Sequence, residues 1–247
     1  MNRQLRDLLW AGLLLILTTV GGGLYAGPTP QPDRFPPSSP FAEPPLALQL
    51  NVAAAQGDVA RVVDLLGAGV SPDAVMADTG MTALMVVVDA RVARVLIRAG
   101  ADVRRTDTQG WAPLHHAVTR PGSAGLVAVL LHAGADAGKR DERGETPLLR
   151  AGLLFTEAID RSGGVSVLNL LVQQGRSDIN ACDRDGWTLL HQAASNDEPA
   201  LAGVCLALGA GPDIRTPLRE TPFEMAKRLH AHGFLEALGR FRGGKEK

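Results

Sequence analysis

Aromatic side chains are scarce, at 4% of 247 residues, which argues against a core built around large rings. Cysteine is nearly absent too. Cys182 and Cys205 are too few for a disulfide scaffold, and no CxxC spacing marks a metal or redox site. They read as small buried hydrophobes, able to pair only if the fold brings their Cα atoms within about 7 Å. Neither charge predominates: the formal net charge of -1 supplies no basic field for a nucleic-acid backbone. The cationic cluster Arg240, Arg242, Lys245 and Lys247 is diluted by Glu246 on a polar tail, 240–247.

Catalytic signatures are missing as well. There is no GxSxG elbow, and no cysteine lies in a recognisable nucleophile motif. Gly21-Gly22-Gly23 falls in an apolar run, and Gly100-Ala101-Asp102 follows a helical pattern instead of opening one, so no phosphate loop forms. His116 and the His230-Ala231-His232 pair lack the i, i+4 spacing, with a nearby carboxylate, of a helical zinc site. The expectation is no enzyme, cofactor, metal or small-molecule substrate.

What is present begins with globular composition, 45% hydrophobic and 21% charged. Arg3 and Arg6 precede an uncharged run from Leu8 to Tyr25, just long enough to cross a bilayer. A membrane anchor or signal segment is therefore expected over 1–26. Cleavage after Ala26 would place Leu24 where a small residue is wanted, so an uncleaved anchor is the first reading and a removed signal the second. No cysteine precedes Cys182, which excludes a lipoprotein site. The flanking arginines should stay cytoplasmic, delivering the rest to the periplasm or an equivalent exported space. Residues 27–45 carry eight prolines between Pro28 and Pro45 and read as an extended linker.

From Leu46 onward the sequence repeats. Gly80-Met81-Thr82-Ala83-Leu84, Gly110-Trp111-Ala112-Pro113-Leu114-His115, Gly144-Glu145-Thr146-Pro147-Leu148, Gly186-Trp187-Thr188-Leu189-Leu190-His191 and Arg219-Glu220-Thr221-Pro222-Phe223 are one motif. Its third residues stand at 82, 112, 146, 188 and 221, giving steps of 30, 34, 42 and 33. A second motif runs out of phase: Gly69 to Asp73, Gly100-Ala101-Asp102, Gly134-Ala135-Asp136, Gly175 to Asp178 and Gly211-Pro212-Asp213. The chemistry is turn, helix, helix. Glycine supplies the turn, threonine caps, proline is tolerated at the first helical position, and apolar residues at helical spacing form the second helix. One such pair cannot bury its apolar face alone, so neighbours must stack into a solenoid.

These residues resemble ankyrin repeats, with Pro113-Leu114-His115-His116-Ala117 and Thr188-Leu189-Leu190-His191-Gln192-Ala193-Ala194 close to the TPLHxAA signature. The resemblance implies an all-α ankyrin-repeat solenoid of about six repeats, capping units included, over 46–239. It also implies that His115 and His191 bond their own repeat's threonine and neighbouring backbone. Ala112 stands in that threonine's place, so His115 needs another partner. The second unit is shortened near Val88-Asp89-Ala90 and the fourth lengthened near Leu153 to Gly164.

Proteins of this kind typically bind a protein partner on a concave face of turn tips and first-helix ends. Carried over by position, the face comprises Met81, Trp111, Glu145 and Trp187 after each turn glycine, with Gln109, Arg143 and Asp185 on the turns. Helix ends add Arg120, Leu153, Leu154 and Asn196. Tryptophan is enriched at interface hot spots, although each ring could instead lie flat against a neighbouring turn. Leu153 and Leu154 belong to an apolar run that either forms an exposed patch or folds back on itself. The function expected is a non-catalytic interaction module outside the cytoplasmic membrane. A toxin-neutralising or enzyme-protecting periplasmic factor is the alternative, and an unrecognised hydrolase a more distant one.

Overall fold

Thr146, Thr188 and Thr221 each precede a short apolar helix, and the reason is visible in the hydrogen bonds. Thr221 Oγ1 accepts the Glu224 N–H at 3.2 Å while Glu224 Oε2 accepts the Thr221 N–H at 2.8 Å, a reciprocal cap that satisfies two otherwise orphaned donors. The other units vary the same box. His115 Nδ1 accepts from the Ala112 N–H and His191 Nδ1 from the Thr188 N–H, both at 3.2 Å, whereas Leu149 has no acceptor to offer.

The structure, a computed structural model, describes residues 44–156 and 161–244. The expected anchor over 1–26, linker residues up to 43, the insertion residues 157–160 and the last three residues of the tail lie outside the described residues. Helices come in pairs: α1 (Leu46–Gln56) with α2 (Val59–Gly67), α3 (Ala83–Val86) with α4 (Ala90–Arg98), and α5 (Pro113–Ala117) with α6 (Ala124–His132). The fourth unit holds α7 (Pro147–Ala151), α8 (Leu153–Thr156) and α9 (Arg161–Gln173). Then come α10 (Leu189–Ser195) with α11 (Pro199–Ala207), and α12 (Pro222–Leu229) with α13 (His232–Gly244). Helix α13 takes in most of the expected polar tail, because Phe241 packs against the core.

First helices stack as one row, α1 on α3 on α5 on α7 and α10 on α12, and second helices as another, α2 on α4 on α6 on α9 and α11 on α13. One continuous core runs between them from Leu50 to Leu238, made mostly of Leu, Ala and Val. Cutting any of the fully buried leucines to alanine, Leu148 for example, would cost about 2–5 kcal/mol. No helix among the described residues is long and apolar enough to cross a membrane.

Both irregular units have a physical account. The short helix α3 ends early, and Arg120 from the next unit covers its end, donating to the carbonyls of Met85 (2.9 Å) and Val87. In the fourth unit the helix breaks at Gly152 and folds back: Leu154 and Phe155 are 3% and 0% exposed, while Leu153 stays outside. Phe155 seats against Gly164, where a Cβ would lie 2.7 Å from its ring. Residues Arg161 to Gly164 are thus the start of the second helix, and Gly164 supplies the seat for Phe155.

Candidate functional site

Three of the turns are built by an aspartate three residues before the turn glycine. Asp107 Oδ1 accepts the N–H groups of Gln109 and Trp111, both at 2.9 Å. Asp141 does the same for Arg143 and Glu145, at 2.9 and 2.8 Å, and Asp183 for Asp185 and Trp187, both at 2.9 Å. The sequence carried this signal as a D-x-x-G spacing, the side chain imitating a backbone turn. Neighbouring turns are then bonded edge to edge: Thr108 N–H to Thr79 O at 3.1 Å, Glu142 N–H to Gln109 O at 3.3 Å, and Arg184 N–H to Arg143 O at 3.3 Å. The ladder stops at the last repeat because Pro217, the corresponding residue, has no N–H. Instead Pro217 closes on Gly186, where a Cβ would lie 2.5 Å from its Cδ in a backbone already at φ +74°.

Gln109, Arg143 and Asp185 therefore stand exposed on three successive, mutually bonded turns. Glu145 and both tryptophans are half-buried behind them. Met81 and Leu154 do not present a surface: both side chains turn into the core, 7% and 3% exposed, so these two expected contacts are corrected to packing residues. Arg120 is committed to the helix end described above, and burial pushes its guanidinium down to about 10. Leu153, at 44% exposed, and Asn196 remain at the surface beyond the first helices.

Trp111 is not a free ring. The Arg150 guanidinium lies 3.6 Å from its centroid, and the His116 ring meets it edge-on at 5.2 Å. Arg150 is itself buried, 2.8 Å from Glu145 Oε2 and 3.8 Å from Asp141 Oδ2. Behind the ring, His116 Nε2 sits 2.8 Å from Asp107 Oδ2. Burial holds His116 below the usual imidazole range, against the raising effect of Asp107. Burial also opposes ionisation of Asp107, but the hydrogen bonds from His116 and the Trp111 and Gln109 N–H groups hold it below its ordinary value. At neutral pH the pair is thus a neutral imidazole donating to a carboxylate. Arg150 was not among the residues the sequence singled out, since nothing in a linear reading places it over a tryptophan one repeat away. Among the described residues no cation or ring covers Trp187, which packs against the core cluster.

His115 and His191 take the structural roles the repeat resemblance implied. His191 Nδ1 lies 2.9 Å from Thr188 Oγ1, and its Nε2 donates to Glu220 O at 3.2 Å. His115, lacking that threonine, uses the Ala112 N–H and reaches Glu145 O at 3.4 Å. Each imidazole thereby stitches its repeat to the next. Cys182 and Cys205 are both free thiols. Among the described residues no group of three or more His, Cys, Asp or Glu side chains is placed to hold a metal ion.

Two family models match the chain, one for three copies of the ankyrin repeat over 50–141 and one for many copies over 156–201. The chain belongs to the ankyrin-repeat family. It is similar to the crystal structure of the ankyrin repeat protein EF0377, with a TM-score of 0.65 and 25% identity over 78% of this chain and 97% of that one. It is 35% identical over 75 residues to the ankyrin repeat and LEM domain-containing protein 1 homolog of Caenorhabditis elegans. That match spans 30% of this chain and only 10% of the relative's length. Ankyrin repeats are protein-protein interaction modules, typically non-catalytic. Between the two matched stretches lies 142–155, where Leu149 and Arg150 replace the signature His and its successor.

Proposed function

We propose that this ankyrin-repeat domain binds a protein partner through the row of turn tips Gln109, Arg143 and Asp185, backed by Glu145 and Trp187, and does so outside the cytoplasmic membrane. The observation that carries the site is the ladder of backbone hydrogen bonds joining those turns. It fixes the backbone positions that carry a neutral, a cationic and an anionic side chain in one order before any partner arrives, and a backbone held in place beforehand loses less entropy on binding. Export rests on the sequence alone: Arg3 and Arg6 ahead of the uncharged run from Leu8 to Tyr25.

Both halves can be tested in one experiment on the full chain in intact cells. A photoactivatable residue placed at Arg143 is expected to yield a protein adduct on irradiation. In spheroplasts, added protease should then digest the domain together with a periplasmic marker. An intact domain beside a digested marker would overturn export, and absence of any adduct at Arg143 would overturn the tip site.

A further inference from the structure

Helix α4 carries Arg91, Arg94 and Arg98 at i, i+3 and i+7, all exposed, a spacing that lines them along one face. Arg104 and Arg105 extend the run into the following turn. Arg91 is neutralised by Asp89 at 2.7 Å, and Arg104 Nε donates to Gly134 O at 3.3 Å. Arg94, Arg98 and Arg105 make no ion pair among the described residues, although the field of Arg94 reaches Asp89. Asp102, close by in sequence, spends Oδ1 on the Arg104 N–H at 2.8 Å.

No carboxylate stands directly abreast of the three arginines that lack an ion pair, the nearest in register being Asp64, beside Val63, and Asp73 and Asp136 in the turns. Register is counted from Gly69, Gly100 and Gly134, which end three successive outer helices. The neighbours of Arg94 are then Val63 and Ala128, those of Arg98 are Gly67 and His132, and those of Arg105 are Ala74 and Lys139. None of these is a carboxylate, most are small, and all three arginines are exposed. Beside its lower end is a depression of about 520 Å³ whose lining includes Arg104, Gly134, Asp136, Lys139 and Gly175. The same first two repeats also hold Leu46, Val63, Val75 and Val88, exposed by 52, 49, 39 and 55%.

We infer that this outer face docks on the headgroups of an anionic phospholipid bilayer. Arginines without an ion pair among the described residues offer charge complementarity to lipid phosphates, and Val63, exposed on the neighbouring outer helix, adds apolar surface suited to the interface. The expected linker 27–45 ends at the first repeat, so the stripe lies on the repeats closest in sequence to any anchored segment. The proposal draws on the anchored reading only for why a bilayer is at hand. Its test omits that segment, so either can fail alone.

All described core residues lie between Leu50 and Leu238, so Pro45–Lys247 carries its own core and can be used as such. It is mixed with vesicles of phosphatidylcholine, alone or with roughly a third phosphatidylglycerol, and co-flotation is measured at low salt. Binding is expected only to the anionic vesicles, because each basic residue near such a surface contributes roughly fivefold in affinity. R94Q/R98Q/R105Q should lose on the order of a hundredfold, whereas R240Q/R242Q on α13 should change little. Absence of flotation, equal flotation of R94Q/R98Q/R105Q, or an equal loss in both variants would each overturn the proposal.

Discussion

Replacing Arg150 by alanine will lower folding stability by about 3 kcal/mol, and the melting temperature by on the order of 10 °C. The cause is not a lost surface ion pair, which would be worth little. Arg150 is about one-tenth exposed, and its removal strands the Glu145 carboxylate and leaves the fully buried Asp141 carboxylate without its nearest cation. It also uncovers the face of Trp111. Calorimetry on R150A, W111A and the double variant gives a coupling energy between the two. A coupling of about 0.5–2 kcal/mol is expected for a desolvated cation over an indole. Additivity within error would show that the guanidinium does not recognise the ring.

Acid will destabilise the domain well before its carboxylates protonate. Burial pushes His115 down from 6.5 to about 4, and it lowers His116 and His191 as well. A base whose folded pKa lies below its unfolded value binds more protons when unfolded, so stability is fully present above pH 6.5 and is lost as pH falls toward 4. For His115 alone the loss is roughly 3 kcal/mol across that window. The melting temperature should be flat from about pH 8 to 7 and fall steeply from about 6.5 to 4. A flat profile down to pH 5 would mean the imidazoles accept protons without unfolding, contrary to the stitching role of His115 and His191.

The repeat architecture was legible because its signals are local. Gly-x-Thr-Pro turns, caps and helical spacing of apolar residues lie within a few positions of one another, and the stacking follows from the inability of one unit to bury its face. The fates of individual site residues were harder to read, because they depend on which way a side chain points. Met81 and Leu154 occupy positions that in a linear alignment look exposed, yet both turn inward. Leu153 and Phe155 illustrate the same limit: one run of apolar residues splits into an exposed and a fully buried side chain once Gly152 breaks the helix and Gly164 opens a seat. Arg120 was read as a binding residue and Arg150 was missed, both for a different reason. Each acts on a unit other than its own, so their partners are some thirty residues away in sequence for Arg120 and one repeat back for Arg150.

The proposed binding edge is the row of turn tips, and one comparison tests it most directly. Once a partner has been captured at Arg143, its affinity is measured for the unaltered chain and for Q109A/R143A/D185A, alongside their melting temperatures. The tips are exposed and their turns are held by backbone and by Asp107, Asp141 and Asp183, so melting should shift by no more than about 1–2 °C. Affinity should fall by at least about thirtyfold, the 2 kcal/mol of an interface hot spot. Unchanged affinity in a variant that melts like the parent would contradict the placement of the partner on this face.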